Sequence, residues 1–406
     1  MKDFFSLNRN IRLRLMITFI SLIAGSSVNA SMAIYYAKYL GAGITGILLI
    51  ISSVASFATG IYAGHRTDQE GRRPVMLIGR VLTSLGAILA AFANSPMLFN
   101  PWLTFVGFLV MEFGFGFFNT GAEAMIVDAS DVSNRKIVYS INYWIINLAI
   151  AIGSALSGWL FQDYLFELLV GLAVAQIITL LIVEFMITET FDPSKRALKE
   201  EMNIFQAYRQ VSKDKIFMLY AFAGIFVAMF YIQFNYGLPV HLGENFHIMT
   251  LFHITIYGQR MLTLMTIVNT VLIVLFMNLI RKLVANWSNR KGYAIGAALT
   301  GLGFVMAFMV NSFALEMVAI IIETIGEMIF ITFGQALMAN MMNPEQAGAY
   351  TGVWTFAGAM SSILSGLMVS GSQYYGSFGM ALIMVFVTLL AIVPGVRAIQ
   401  RHEQRG

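Results

Sequence analysis

The sequence has no cysteine and few charged residues. Only 11% of its 406 residues are charged, less than half of the roughly 25% typical of soluble domains. This shortage excludes an ordinary soluble enzyme and a disordered protein, and the absence of cysteine excludes a secreted domain held together by disulfides. What the chain has instead is 58% hydrophobic residues, with 35 glycines, 33 phenylalanines and 26 methionines. This composition is typical of a protein that crosses a membrane many times.

The hydrophobic residues are grouped in runs long enough to cross a bilayer, which takes about 20 residues of helix. Short polar connections separate the runs, and the alternating ten-residue segments of a membrane barrel are not seen. We therefore predict an all-α membrane protein with twelve transmembrane helices, at about residues 13–37, 42–63, 74–94, 102–126, 138–160, 165–187, 216–238, 257–280, 292–310, 313–337, 350–371 and 376–396.

The basic residues predict how these helices are oriented. If the N-terminus is cytoplasmic, 22 of the 25 lysines and arginines, Arg14 among them, lie in segments that face the cytoplasm, as the positive-inside rule requires. Both termini are therefore expected in the cytoplasm. Contact with anionic lipid head groups accounts for the net charge of +4, so we expect membrane lipids and no nucleic acid as partners. No cleavable signal peptide is evident.

The most specific motif, GHRTDQEGRRP, connects the second and third predicted spans. Its glycines permit a tight turn, and Asp68 is expected to accept hydrogen bonds from the N-terminus of a neighbouring helix. The two arginines are expected to pair with Asp128. The spacing resembles the signature of the major facilitator superfamily in this same loop, which implies a conformational latch; the alternative is a plain charged loop. The predicted latch residues are Gly64, Asp68, Gly71, Arg72, Arg73 and Asp128.

The longest polar connection, residues 188–215, divides the predicted spans into two groups of six. A weak repeat between GSALSGWLF and SSILSGLMV supports two related halves, as in the parallel repeats of facilitator transporters. We predict a short surface helix in the connection from the spacing of Ile204, Phe205, Tyr208 and Val211. The predicted organisation is an N-terminal six-helix bundle (1–187), a linker (188–215) and a C-terminal six-helix bundle (216–406).

Along almost the whole chain the order of elements resembles the drug–proton antiporters of this superfamily, particularly the LmrP-type multidrug transporters of lactic-acid bacteria. The matching stretches include MAIYYAKYLGAGITGILL, NPWLTF, AMIVDAS, FNYGLPVHL and IYGQRMLT. The resemblance implies export of lipophilic, often cationic compounds in exchange for protons by alternating access. Two departures bear on proton coupling, because Asn142 and Asn235 stand where these antiporters have aspartates. Coupling would then depend on other carboxyls or have a lower stoichiometry.

Other acids do lie within the predicted spans, where a charged side chain costs several kcal/mol and indicates function. Glu112 and Glu123 share one face of the fourth span, and Glu323 and Glu327 share one face of the tenth. Because Glu323 and Glu327 are one turn apart, we expect at least one of them to keep its proton near neutral pH. Glu327 also matches an acid of the resembling antiporters. All four are predicted proton-coupling residues; the alternative is that they are neutral acids that only stabilise packing.

Aromatic and amide residues lie close to these acids in the sequence. Aromatic and methionine side chains adapt to planar cations, and a carboxylate adds a preference for positive charge. The alternative is that most of the aromatic residues face lipid. The predicted substrate-binding residues are Asn142, Tyr143, Trp144, Phe234, Asn235, Tyr236, Glu327 and Trp354, with Phe330 in the same group.

Other kinds of site find no support in the sequence. His241, His247 and His253 are six residues apart, which is not the spacing of metal ligands, and no phosphate-binding glycine loop precedes a lysine. No catalytic constellation can be placed outside the lipid. We therefore expect no metal, no cofactor and no enzymatic activity.

Together these features predict a proton-coupled exporter in the plasma membrane of a bacterium. We expect a monomer that acts on small lipophilic or cationic substrates. An exporter or flippase for one metabolite, lipid or sugar is the alternative among transporters, not driven by protons if Asn142 and Asn235 mark a loss of coupling. A non-transporting membrane sensor or scaffold is the alternative of another class, although no polar segment is long enough for an added soluble domain.

Overall fold

The computed structural model describes residues 7–130, 135–191, 209, 211–342 and 347–404. The helices of its first half are α1 (Arg9–Ser26), α2 (Asn29–Leu40), α3 (Ala42–Glu70), α4 (Arg72–Phe92), α5 (Pro101–Ala129), α6 (Arg135–Leu160) and α7 (Leu165–Phe185). Those of its second half are α8 (Lys215–Ile232), α9 (Gly237–Asn245), α10 (Gly258–Leu283), α11 (Asn289–Met309), α12 (Phe313–Met341) and α13 (Ala347–Glu403). Two short antiparallel hairpins pair β1 (Asn94–Ser95) with β2 (Leu98–Phe99) and β3 (Met249–Leu251) with β4 (Ile254–Ile256).

Each predicted span lies on these helices, and its ends differ from the observed ones by up to seven residues. The first span consists of α1 and α2, and the seventh consists of α8 and α9. The last two spans share α13, where the non-helical backbone of Gly376 (φ 60°, ψ −166°) separates them. In the described part of the chain, ten helices are long and apolar enough to cross a membrane, with α13 counted once. The all-α membrane fold is thus confirmed, and the count of twelve is approximate.

Several helices begin where a short polar side chain satisfies the free backbone N–H groups of the first turn. The Asn100 side chain accepts from Leu103 N ahead of α5, whose first residue is Pro101. The Asp214 side chain accepts from the first-turn amides of α8, and Ser288 accepts from Lys291 N at α11. Local sequence therefore sets these boundaries without help from distant residues.

Glycine determines how closely the helices pack. A Cβ atom on Gly79 of α4 would lie 2.7 Å from the carbonyl oxygen of Gly114 on α5, and one on Gly107 would lie 2.7 Å from Gly86 O. Only hydrogen fits at these contacts, so the backbones of α4 and α5 approach each other as small residues allow in membranes. On α6, Gly153, the first residue of the segment GSALSGWLF, packs in the same way against Ser26 of α1.

The chain divides into two compact units, one of Met1–Leu40 and Leu48–Arg196, the other of Gly41–Ile47 and Ala197–Gly406. In the first unit, α2, α4, α5 and α7 bury a core that includes Tyr36, Phe105 and Leu172. In the second, α11 packs against α12, and α8 packs against α13. Most of the predicted linker 188–215, including the predicted surface helix from Ile204 to Tyr208, lies outside the described residues.

Candidate functional site

The acids of α12 meet at a single amide of α10. Asn269 Nδ2 lies 2.8 Å from Glu327 Oε2 and 3.3 Å from Glu323 Oε2. It is also 3.1 Å from the hydroxyl of Thr324. Glu323 is buried and Glu327 is half-buried. The structure therefore brings together the two acids that helical spacing predicted to be neighbours, and it adds Asn269, which the sequence analysis did not single out.

An aromatic cavity of about 630 Å³ lies in the second unit. Tyr220 and Trp354 stack with ring centroids 5.8 Å apart, and the Tyr220 hydroxyl donates to Gly334 O. Tyr231 of α8 lines the cavity. Phe330 and Ile331 of α12 line it too, and they lie one helical turn from Glu327. The lining residues are Tyr220, Gly224, Val227, Ala228, Tyr231, Tyr293, Phe330, Ile331, Gly334, Met338 and Trp354.

Of the predicted substrate-binding group, Trp354 and Phe330 line this cavity. Phe234 instead packs edge-on against Phe304 at 5.5 Å, Asn235 is exposed, and Tyr236 directly precedes α9. The sequence analysis missed Tyr220, Tyr231 and Tyr293, although a tyrosine within a strongly apolar helix is a detectable signal, since its hydroxyl needs a partner there.

In the first unit, Arg14 of α1 holds a polar cluster. Its Nη2 forms a 2.5 Å ion pair with Glu123 Oε1 of α5, and its Nη1 donates to Asn142 Oδ1 of α6 at 2.7 Å. Arg14 is only 3% exposed, so the protein covers it, although it was counted among the cations of the cytoplasmic segments. Its neighbours Leu13 and Leu15 are also buried, because this turn of α1 is covered by other helices. Glu123, predicted as a proton-coupling acid, is the counter-ion of this arginine.

A cavity of about 270 Å³ adjoins this cluster. Arg14, Glu112, Glu123 and Asn142 all line it, whereas Tyr143 and Trp144 do not and are 61% and 63% exposed. Their assignment to substrate binding stays a prediction. The further residues that line the cavity are Thr18, Ser21, Leu22, Gly25, Asn29, Arg80, Thr83, Phe108, Met111, Phe115, Phe118, Asn119, Ile146 and Gln176.

Arg80 of α4 is a second buried arginine in this cavity. It is 4% exposed, its Nη1 donates to Gln176 Oε1 at 2.7 Å, and its guanidinium carbon lies 3.4 Å from the centre of the Phe118 ring. Arg80 was not among the residues predicted from the sequence. A single arginine within an apolar span is itself the signal that could have identified it.

The predicted pairing of Arg72 with Asp128 is present, with Arg72 Nε 2.7 Å from Asp128 Oδ2. Arg72 also donates to Thr67 O at 2.7 Å and lies over the Phe191 ring. Arg73 takes a different partner, because its guanidinium reaches the backbone and side chain of Glu184 at the end of α7.

Two expectations about the latch residues were wrong. Among the described residues, Asp68 does not accept from a helix N-terminus: its side chain is 78% exposed and reaches Arg72 alone, at 3.4 Å. Glu189 takes that role, since its carboxylate accepts from Arg72 N at 3.1 Å and Arg73 N at 3.0 Å. The reason is local geometry, because Asp68 lies in the last turn of α3 and Gly71 then redirects the chain with a φ of 104°. Gly64 lies within α3 and forms no turn.

A profile of the Major Facilitator Superfamily matches residues 15–258 of this sequence. The match spans more than half of the chain, and the chain belongs to this superfamily of transporters. The narrower likeness to LmrP-type transporters stays an expectation.

Two kinds of named relative are similar in sequence. The Na(+), Li(+), K(+)/H(+) antiporter of Planococcus maritimus is 25% identical over 393 residues, which cover 93% of this chain and 92% of that protein. The multidrug resistance protein MdtH of Photorhabdus laumondii is 22% identical over 216 residues, 52% of this chain and 51% of that protein.

Solved structures of transporters share the fold. A POT family transporter in complex with 5-aminolevulinic acid superposes with a TM-score of 0.76 and 14% identity, covering 99% of both chains. The nucleoside transporter NupG superposes with a TM-score of 0.73 and 13% identity, covering 97% of this chain and 99% of that one. Relatives and structural neighbours alike are transporters rather than enzymes, so the chain is a multi-pass membrane transporter.

Proposed function

We propose that the protein is a secondary active exporter of lipophilic, often cationic compounds, driven by proton antiport with alternating access. The observation that carries the proposal is the acid pair beside the aromatic cavity. Glu323 and Glu327 converge on Asn269, and Phe330, one helical turn from Glu327, lines the cavity together with Trp354. Fixed aromatic walls would hold a planar cation, and the acids would exchange protons for it.

The exchange follows from the charge balance at Asn269. One amide can stabilise one carboxylate, but two carboxylates on adjacent turns of α12 repel each other when both are ionised. The pair would therefore carry a proton when no cation is bound. A cation near Glu327 compensates the second negative charge and releases that proton. The half-buried Glu327 is the better placed of the two to meet a substrate, and the buried Glu323 would act through it.

The names of two relatives support this proposal. The relative from Planococcus maritimus is named an antiporter that exchanges metal cations for protons, and MdtH is named a multidrug resistance protein. The pairing of Glu123 with Arg14 limits the proton-coupling role in the first unit, since Glu123 already has a cationic partner. We therefore assign coupling first to Glu327 and Glu323.

The test is uptake of a fluorescent lipophilic cation into inverted membrane vesicles, with and without an imposed pH gradient. Uptake by the unmodified protein should require the gradient. Glu327→Gln should abolish or strongly weaken uptake of the cation while uptake of a neutral lipophilic compound of the same size continues. Glu167→Gln is the matched control, because it removes an exposed acid from the first turn of α7. Equal cation uptake by the unmodified protein and Glu327→Gln would defeat the proposal.

A second candidate is exchange of monovalent metal cations for protons. It is favoured by the relative from Planococcus maritimus, which is similar over nearly the full length of both chains. The cluster at Asn269 also offers the oxygen ligands that hard cations prefer, from Glu323, Glu327 and Thr324. Addition of Na⁺ or Li⁺ to acidified vesicles would then dissipate the pH gradient, and Glu327→Gln would prevent it. If neither ion dissipates the gradient, this candidate is excluded.

A further inference from the structure

Arg80 is a buried cation whose charge is not matched by an acid. No carboxylate of the described residues lies within ion-pair distance of it, and its Nε has no hydrogen-bond partner among them. Its contacts are the amide of Gln176 and the face of Phe118. Arg14, which lines the same cavity, differs in having Glu123 as its counter-ion.

This arrangement is costly unless a ligand completes it. An arginine stays protonated in proteins, and burying such a cation without a counter-ion is unfavourable. Stacking on an aromatic ring and one hydrogen bond to a neutral amide offset only part of that cost. The guanidinium faces a cavity of about 270 Å³, which leaves room for an anionic group.

We propose that this cavity of the first unit binds the carboxylate group of an organic anion, with Arg80 as its principal ligand. A guanidinium binds a planar carboxylate through parallel N–H donors, and the Nε of Arg80 has no other acceptor among the described residues. Phe108, Phe115 and Met111 supply apolar walls for the organic part of the ligand. The site goes beyond the proposed cation export, and it does not depend on the acid pair of the second unit.

Glu112 gives this proposal a distinctive consequence. Its carboxyl lines the same cavity, and among the described residues it forms no ion pair with an arginine. A negative charge at Glu112 would repel an incoming carboxylate. Glu112→Gln should therefore tighten binding of an anion, whereas a packing role for Arg80 predicts no such effect.

The experiment measures equilibrium binding of radiolabelled 2-naphthoate to the purified full-length protein in detergent, against empty micelles. The neutral 2-naphthamide, which has nearly the same shape, should compete at least about tenfold more weakly. This comparison uses the unmodified protein and so does not depend on whether a variant folds. If 2-naphthamide competes as well as unlabelled 2-naphthoate, the proposal is overturned. It is also overturned if inorganic phosphate displaces the radiolabelled naphthoate at the concentration at which unlabelled naphthoate does.

Three arginine variants complete the test. Arg80→Met should weaken naphthoate binding by about tenfold or more, and Arg80→Lys should weaken it less because the charge remains. Arg66→Met is the control, since Arg66 forms an i, i+4 ion pair with Glu70 away from the cavity. Size-exclusion profile and helix content establish that each variant is folded. Unchanged naphthoate affinity in folded Arg80→Met would overturn the proposal.

Discussion

Arg14 and Glu123 form an ion pair of 2.5 Å between α1 and α5. The arginine side chain is 4% exposed and that of the glutamate is 43% exposed, so the pair lies at the edge of a cavity rather than in solvent. Because the same guanidinium donates to Asn142 of α6, one arginine connects three helices. An arginine that the sequence indicated only as one of the cytoplasm-facing cations thus joins three helices of the first unit.

The first prediction concerns the stability of this unit. Glu123→Gln leaves Arg14 buried without a counter-ion, which costs about 3–5 kcal/mol for a fully buried pair. Because Glu123 is partly exposed, we expect a smaller loss of roughly 1–3 kcal/mol. Thermal unfolding of the purified protein in detergent measures it, with Glu167→Gln as the control. The double variant Arg14→Leu with Glu123→Leu should melt above Glu123→Gln; a lower melting temperature would contradict the pairing.

The second prediction concerns Asn142. An aspartate there would compete with Glu123 for Arg14, because Asn142 Oδ1 is only 2.7 Å from Arg14 Nη1. Two carboxylates would then share the single cation Arg14, so one of them can bind a proton. Asn142→Asp should therefore make dye export depend more strongly on pH, measured at a series of pH values around neutrality. Asn235→Asp, at an exposed position outside the cavities described here, should change the profile less. Identical pH profiles for Asn142→Asp and the unmodified protein would count against a role of Asn142 in the pathway.

The third prediction ranks the latch residues. Arg72 bonds Asp128 at 2.7 Å and Thr67 O at 2.7 Å, while Asp68 reaches Arg72 only at 3.4 Å from an exposed position. Arg72→Ala should therefore slow export several-fold more than Asp68→Asn at matched expression. Initial rates of dye uptake into vesicles measure both. A larger effect of Asp68→Asn would contradict this ranking and show that Asp68 acts through contacts that it makes in another conformation.

The fourth prediction concerns Glu189, whose carboxylate accepts hydrogen bonds from two backbone N–H groups at the start of α4. Loss of a capping side chain costs about 1 kcal/mol, so Glu189→Ala should lower the melting temperature. Asp68→Ala, which removes an exposed acid nearby, should lower it less. If the two variants have the same melting temperature, Glu189 does not stabilise this helix end.

The fifth prediction concerns the size of the aromatic cavity. A Cβ atom on Gly224 would lie 2.7 Å from Trp354 Cη2, so Gly224→Ala must displace the indole that lines the cavity. Export of large aromatic cations should fall more than export of small ones, measured as a ratio of initial rates. Gly358→Ala is the control on α13, since its Cβ would meet no atom within 4 Å. If the ratio of initial rates is the same in Gly224→Ala and Gly358→Ala, Trp354 does not take part in substrate selection.

Local pattern was sufficient to predict several contacts. Glu323 and Glu327 are one helical turn apart, so any helix brings their side chains to one face, and the structure places both at Asn269. Arg72 and Asp128 were paired from their positions at the ends of predicted spans. Asn269 itself escaped prediction, because an amide within an apolar run gives little signal without knowledge of the facing helix.

By itself the sequence determined the class of the protein. Long apolar runs leave helices as the elements that satisfy every backbone N–H and C=O in lipid, and small residues then set how closely those helices pack. The tertiary structure alone decided which polar groups meet. Glu123 became a counter-ion through Arg14, and Glu189 rather than Asp68 capped α4. The physical reason is that spacing along one helix fixes a face, whereas an ion pair depends on which neighbouring helix covers that face.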